Sequence, residues 1–273
     1  MRTRSRTLLV NAALLAAAAV SLGPLVWMVS VSFMAPGEAS STPTPLLPRA
    51  ATLENYHQLF AQTGMGRSFA NSLFLATMAT LLALAFNVSA GYAFAKLRFA
   101  GRERIFRLLL GALIIPGQVA MIPLFLLLKQ LGLVNTYLGV LLPSVANIFG
   151  IFLVRQYAHS IPDELLEAAR IDGAGEFRLF WSIVLPSLGP ILVTLAIFTF
   201  LGSWNDFLWP LIVLTDDDRH TLPVALASLT REHVQDSELM MAGGVITVLP
   251  VLVLFLVLQR YYIQGLLAGS IKG

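Results

Sequence analysis

The chain has 273 residues, of which 57% are hydrophobic and only 12% charged. Soluble domains carry about 25% charged and about 45–50% apolar residues, so this composition excludes an ordinary soluble globular protein. The net charge of +3 does not point to nucleic acid, because the basic residues lie between apolar runs and not along one face. The absence of cysteine removes a disulfide framework, a thiolate metal site and a cysteine nucleophile.

A bilayer core about 30 Å thick is crossed by roughly 20 helical residues. Six runs qualify: 8–33, 69–95, 108–128, 138–154, 183–214 and 245–263. They are continuously apolar, without the alternation of a barrel strand, and predict an all-α polytopic membrane protein with six transmembrane helices. Residues 1–34 form the N-terminus and first span. Arg2, Arg4 and Arg6 resemble the start of a signal peptide, but the apolar run outlasts the roughly 7–15 residues of a signal core and is expected to remain as an anchor. Residues 35–68, with Thr42-Pro43-Thr44-Pro45, predict an extended, exposed external loop. Residues 69–263 hold the other five spans, and 264–273 a short tail. Pro116, Pro123 and Pro143 interrupt spans three and four, as static kinks or as hinges. His57, His159, His220 and His233 stand singly, without metal-ligand spacing.

Lysine and arginine set the expected orientation. With the N-terminus in the cytoplasm, the inner side holds Arg2, Arg4, Arg6, Lys96, Arg98, Arg102, Arg104, Arg107, Arg155, Arg170, Arg178, Arg260 and Lys272. The outer side holds only Arg49, Arg67, Lys129, Arg219 and Arg231. Both termini are therefore expected in the cytoplasm.

The segment 155–182 does not read as a simple loop. Ser160-Ile161-Pro162-Asp163 predicts a helix start, with Ser160 as cap and a proline in the first turn. Asp163, Glu164 and Glu167 lie toward the positive end of that helix dipole and Arg170 toward the negative end. Leu165, Leu166, Ala169 and Ile171 give it apolar surface. Asp172-Gly173 predicts its stop, since glycine accepts a left-handed backbone. A second short helix with Phe177, Phe180 and Trp181 leads into Leu185-Pro186. A capped helix, a sharp turn and another helix at the inner membrane face form an element that can dock on a soluble partner.

Glu167-Ala168-Ala169, Asp172-Gly173-Ala174, Phe180, Ile183, Leu185-Pro186 and Pro190 resemble the EAA loop of binding-protein-dependent ABC importer permeases. Phe69 to Leu73, Gly91 to Ala95, Gly202 to Pro210 and the tail from Gln264 are similar to the carbohydrate-uptake branch, and within it to the shorter permease of the pair. The resemblance implies the type I ABC importer permease fold, with Glu167, Ala168, Ala169, Asp172, Gly173 and Ala174 forming a coupling helix seated on an ATPase. It also implies a second homologous permease, two ATPase subunits that bind the ATP and magnesium, and an extracytoplasmic sugar-binding protein. In the resembled family, a loop of the shorter permease can enter that protein; the corresponding stretch here is 215–241. The cargo expected is a sugar or oligosaccharide, with a glycerol phosphate or a polyol still open.

Polar residues inside spans are costly and are candidates for function. Asn71, Asn87, Gln118, Asn147, Asn205 and Asp206 are such residues. Asn71, Asn147, Trp204, Asn205 and Asp206 are candidates for a translocation pathway; alternatively the asparagines tie helices together, and Trp204, Phe207 and Trp209 form an interfacial belt. Asp216-Asp217-Asp218 reads as a solvated external turn. No GxxxxGK[ST] loop is present to hold a nucleotide, and no nucleophile elbow or pocket-facing carboxylate pair indicates an enzyme. A stand-alone secondary transporter would need paired ion-binding groups and inverted repeats, and neither is visible.

Overall fold

The computed structural model describes residues 2–232 and 236–268 and is helical throughout, with no strand among them. Its elements are α1 (Arg2–Ser32), α2 (Glu54–Gln62), α3 (Met65–Lys96), α4 (Arg102–Ala112), α5 (Gly117–Gln130), α6 (Tyr137–Leu141), α7 (Ile148–Ala158), α8 (Asp163–Ile171), α9 (Glu176–Leu179), α10 (Leu185–Ser187), α11 (Gly189–Trp204), α12 (Leu208–Val213), α13 (Leu222–Glu232) and α14 (Ser237–Ala268). Three stretches are long and apolar enough to cross a membrane unbroken: Leu9–Ser32, Met65–Lys96 and Ser237–Gln259. Three bent pairs are long and apolar enough when taken together: Arg102–Ala112 with Gly117–Gln130 at 101°, Tyr137–Ser144 with Ile148–Ala158 at 41°, and Glu176–Ser187 with Gly189–Trp204 at 77°. Counting each pair as one gives the six expected from sequence.

The breaks have local causes. Pro116, extended at ψ 132°, ends the unwound 113–116 turn and starts α5. Pro143 opens a 3-10 turn (Leu142–Ser144) before extended Asn147, whose carboxamide oxygen accepts the N–H groups of Phe149 and Gly150 and caps α7. A π-turn (Phe180–Val184) runs into Pro186, and Gly189-Pro190 restarts the helix as α11. Pro123, by contrast, lies inside unbroken α5. Two of the three prolines in spans three and four therefore sit at breaks.

The chain divides into two compact units, one of residues 1–69 and 222–250, the other of 70–221 and 251–273. In the first, Asn55 is fully buried and its amide donates to the carbonyls of Ser32 and Met34. The Glu38 carboxylate accepts the Ala35 and Arg49 N–H groups, and buried Glu238 accepts the Ala39 N–H at 2.7 Å. These bonds tie down the stretch expected to be extended and exposed, and α2 occupies part of it; the proline-rich composition marked its turns but not its tethers.

The second unit has two cores. One joins Val88, Tyr92 and Ala95 of α3 to Val154 and Ala158 of α7, and to Ile161, Leu166, Leu179, Val184, Leu188 and Leu195. The other gathers Leu75, Ala79, Leu128, Val140, Leu141, Trp209, Val213 and Leu214. Helices α3 and α7 approach so closely at Gly91 that a Cβ there would lie 2.6 Å from the Val154 side chain, whereas one at Gly111 would meet nothing within 4 Å. Gly91→Ala is expected to lower stability by about 1–3 kcal/mol through overpacking, read as a fall in thermal midpoint of the detergent-purified protein. Gly111→Ala, one residue before the end of α4, is the control and should hold or raise the midpoint. Equal midpoints for the two variants would rule out the close approach.

Candidate coupling element and central cavity

The segment 155–182 folds as a helix, a glycine turn and a second helix, as its sequence predicts. Its start differs in one respect. Ser160 does not cap α8, because its hydroxyl donates to the Tyr157 carbonyl, and Pro162 holds the cap position without a side-chain bond. The anchoring comes from elsewhere in the chain. Lys96, the last residue of α3, donates at 2.6 Å both to the Ile161 carbonyl and to the Asp163 carboxylate. Its side chain is only 6% exposed, so this ammonium needs both partners. The hydrogen bond from Lys96, then its charge, holds the Asp163 carboxyl below its ordinary 3.8. A carboxyl lowered on folding contributes fully above that ordinary value, and the contribution fades only as pH falls through the lowered one. The tether is therefore intact at neutral pH.

The end of α8 is a Schellman turn. The N–H of Ala174 bonds the Ala169 carbonyl and the N–H of Gly173 bonds the Arg170 carbonyl, at 2.9 and 3.0 Å. Gly173 has φ 84°, where any side chain is strained although the space around it is open. Across this turn Arg170 donates to both oxygens of Glu176, at 2.7 and 3.3 Å. The Tyr92 hydroxyl lies 3.5 Å from the same carboxylate. Arg155 similarly bonds the Phe94 carbonyl and Glu103 and lies over the Phe106 ring at 3.9 Å.

These ties fix which face of the segment is free. Leu166 and Leu179 are buried in the unit's core. Leu165, Ile171, Phe177 and Trp181 are exposed, Ile171 by 86% and Phe177 by 79%. Glu164, Glu167, Ala168, Asp172 and Gly173 lie on the exposed side with them, while Ala169 and Ala174 are half-buried. The result is an apolar surface interspersed with acids on a rigid support.

A cavity of about 510 Å³ lies within the 70–221 region, at the helix breaks. Gly117 and Gln118 enter it from the start of α5, Ser144 and Asn147 from the break before α7, and Ser203 and Asp206 from the end of α11. Irregular backbone at membrane depth is tolerated where it lines such a space. Phe198, Trp209 and Thr221 also line it, and the Thr221 hydroxyl is buried without a hydrogen-bond partner among the described residues. Asp206 accepts the Trp209 N–H at 3.4 Å, and the Trp209 indole donates to the Gly139 carbonyl.

The five pathway candidates separate here. Asn147 and Asp206 line the cavity. Asn71 lies elsewhere, donating to the Asp218 and His220 carbonyls and accepting from the Tyr137 hydroxyl. Trp204 is fully buried and stacked on Phe200, and Asn205 donates back to the Leu201 carbonyl. Asn87, also fully buried, accepts the Asn147 N–H and so holds the α7 break. Asp216-Asp217-Asp218 is a solvated turn, bound through Asn135 to the turn after α5. His233 lies outside the described residues, as do 269–273 of the predicted tail. Among the described residues no group of three ligating side chains could hold a metal.

The comparisons with known proteins agree with this architecture. The chain is 40% identical over 257 residues to an arabinooligosaccharides transport system permease protein of Halalkalibacterium halodurans, covering 93% of this chain and 92% of that one. It is 35% identical to a lactose transport system permease protein of Rhizobium radiobacter, over 94% and 93% of the two chains. Its fold matches a chain in the crystal structure of a bacterial ABC transporter involved in import of the acidic polysaccharide alginate, with a TM-score of 0.85, 26% identity and coverage of 96% and 98%. The family model described as binding-protein-dependent transport system inner membrane component matches residues 87–267, which include the 155–182 element and, apart from Leu75 and Ala79, the residues lining the cavity. With more than half of its length matched, this chain belongs to that family of multi-pass membrane transport components.

Proposed function

We propose that the chain is a permease subunit of an ATP-driven sugar importer, moving a sugar or oligosaccharide by alternating access. The observation that carries the reading is the 155–182 element: a helix pinned to the end of α3 by Lys96, closed by a glycine turn, with an apolar and acidic face left uncovered. Force applied to that face passes directly into the core that joins α3, α7 and α11. The names of the similar permeases, for arabino-oligosaccharides and lactose, support sugar as the cargo class. The partners in this reading are a second, homologous permease, two ATPase subunits seated on the α8 face, and an extracytoplasmic sugar-binding protein. A solved structure of related fold, at 16% identity, is described in complex with an alginate pentasaccharide-bound periplasmic protein. ATP is bound and hydrolysed by the partners, and this chain transmits the motion.

The basic residues place α8, the Arg102 to Arg107 stretch and both termini on the cytoplasmic side. Because the chain has no cysteine, Arg102→Cys supplies a single label site. An impermeant maleimide should leave it unmodified in intact cells and modify it after the membrane is opened. Labelling in intact cells would reverse the orientation.

Two substitutions test coupling. Gly173→Val strains the left-handed turn by roughly 1–2 kcal/mol, too little to unfold the bundle but enough to misdirect a docking helix. Glu167→Lys reverses a charge on the exposed face of α8. Both variants should insert at wild-type levels yet co-purify less ATPase and take up less labelled sugar. Unchanged co-purification and uptake in both would overturn the docking assignment.

A further inference from the structure

The cavity has an uneven charge. Among the residues that line it, Asp206 alone is ionisable, and no lysine, arginine or histidine accompanies it. Its other polar groups are neutral amides and hydroxyls: Gln118, Ser144, Asn147, Thr199, Ser203 and Thr221. Asp206 is held by the Trp209 N–H, and Trp209 in turn by Gly139, so the carboxylate stays at the break between α11 and α12. The Thr221 hydroxyl, on a residue 3% exposed, lies at the wall of this space without a hydrogen-bond partner among the described residues.

These facts bear on which saccharide fits. A neutral sugar brings hydroxyls that pair with the amides and hydroxyls of the lining. A uronate or sugar phosphate brings a negative charge into a space whose lining offers no counter-charge and already holds a like charge. The fold does not decide this, since it is shared with a transporter described as importing an acidic polysaccharide. Side chains have to decide it. We propose that Asp206 is a charge filter in the path, favouring uncharged saccharides and disfavouring acidic or phosphorylated ones. The inference rests on the reading of the cavity as the sugar path, and it selects against the glycerol phosphate that the sequence leaves open.

The test uses the complete transporter with Ser203→Cys as the only thiol in this chain. Ser203 is half-exposed, lies three residues from Asp206 and lines the same cavity. Three methanethiosulfonate reagents of similar size are compared: a trimethylammonium cation, a sulfonate anion and a neutral hydroxyethyl form. Each rate, followed by mass spectrometry of this chain, is divided by the rate with a free thiol in solution. The expected result is a cation-to-anion preference of about tenfold that falls toward one when Asp206→Asn is added. Asparagine keeps an acceptor for the Trp209 N–H, and an unchanged neutral rate shows that the cavity is intact. Asp206→Glu keeps the charge and should keep the preference. Equal preference with and without Asp206→Asn, at an unchanged neutral rate, overturns the filter and leaves the path reading standing. A thiol that none of the three reagents reaches overturns the path reading and the filter with it.

Discussion

The ammonium of Lys96 lies almost buried at the end of α3, donating to one carbonyl and one carboxylate of the chain just before and at the start of α8. A charge removed from water is tolerated only when it is paired and hydrogen-bonded. The end of α3 and the start of α8 are therefore held together, and separating them would strand the charge. Leu166, buried beside this junction, adds apolar burial on the order of 1.5–3 kcal/mol. In the proposed function, a partner docked on the exposed face of α8 would push on a part joined to the end of α3. A loosely hinged loop would absorb that motion.

The opposite requirement operates at the helix breaks. A continuous helix satisfies its own backbone and leaves no polar surface along its length. The breaks after Ala112, Ser144 and Trp204 free backbone groups and turn side-chain amides and hydroxyls toward one space. The second and third are stabilised by specific groups: Asn147 caps α7 and is fixed by Asn87, and Asp206 accepts the Trp209 N–H. The polar residues in these spans thus have two roles. Asn71 and Asn87 tie segments together, while Asn147 and Asp206 do so and also line the cavity.

Several of the basic residues on which the proposed orientation rests are also fasteners. Lys96, Arg155 and Arg170 each bond specific carbonyls or carboxylates around the 155–182 element. Their carboxylate partners are 54–74% exposed, so each pair adds little as an ion pair and serves mainly to fix geometry. Basic composition and local rigidity are therefore served by the same side chains.

The sequence by itself determined the six spans, the helix–turn–helix between the fourth and fifth, and the glycine stop at Gly173. Each depends on local rules: the length of an apolar run, the order of capping and turn residues, and the one residue that accepts positive φ without a clash. The family was legible for the same reason, because its motif occupies a contiguous stretch. The anchoring by Lys96, the pairing of Arg170 with Glu176 across the turn, and the tethering of the 35–68 stretch by Asn55 and Glu238 were not legible. Asn55 and Glu238 reach partners 21 to 199 positions away, and Lys96 partners 65 and 67 away, in the chain. Ser160 was misread as a cap because a nearby carbonyl offered its hydroxyl another partner. Among the polar residues of the spans, only the tertiary structure decided which face the cavity and which tie segments together. That division depends on how each helix is rotated and where it breaks, and both are set by packing against neighbours distant in sequence.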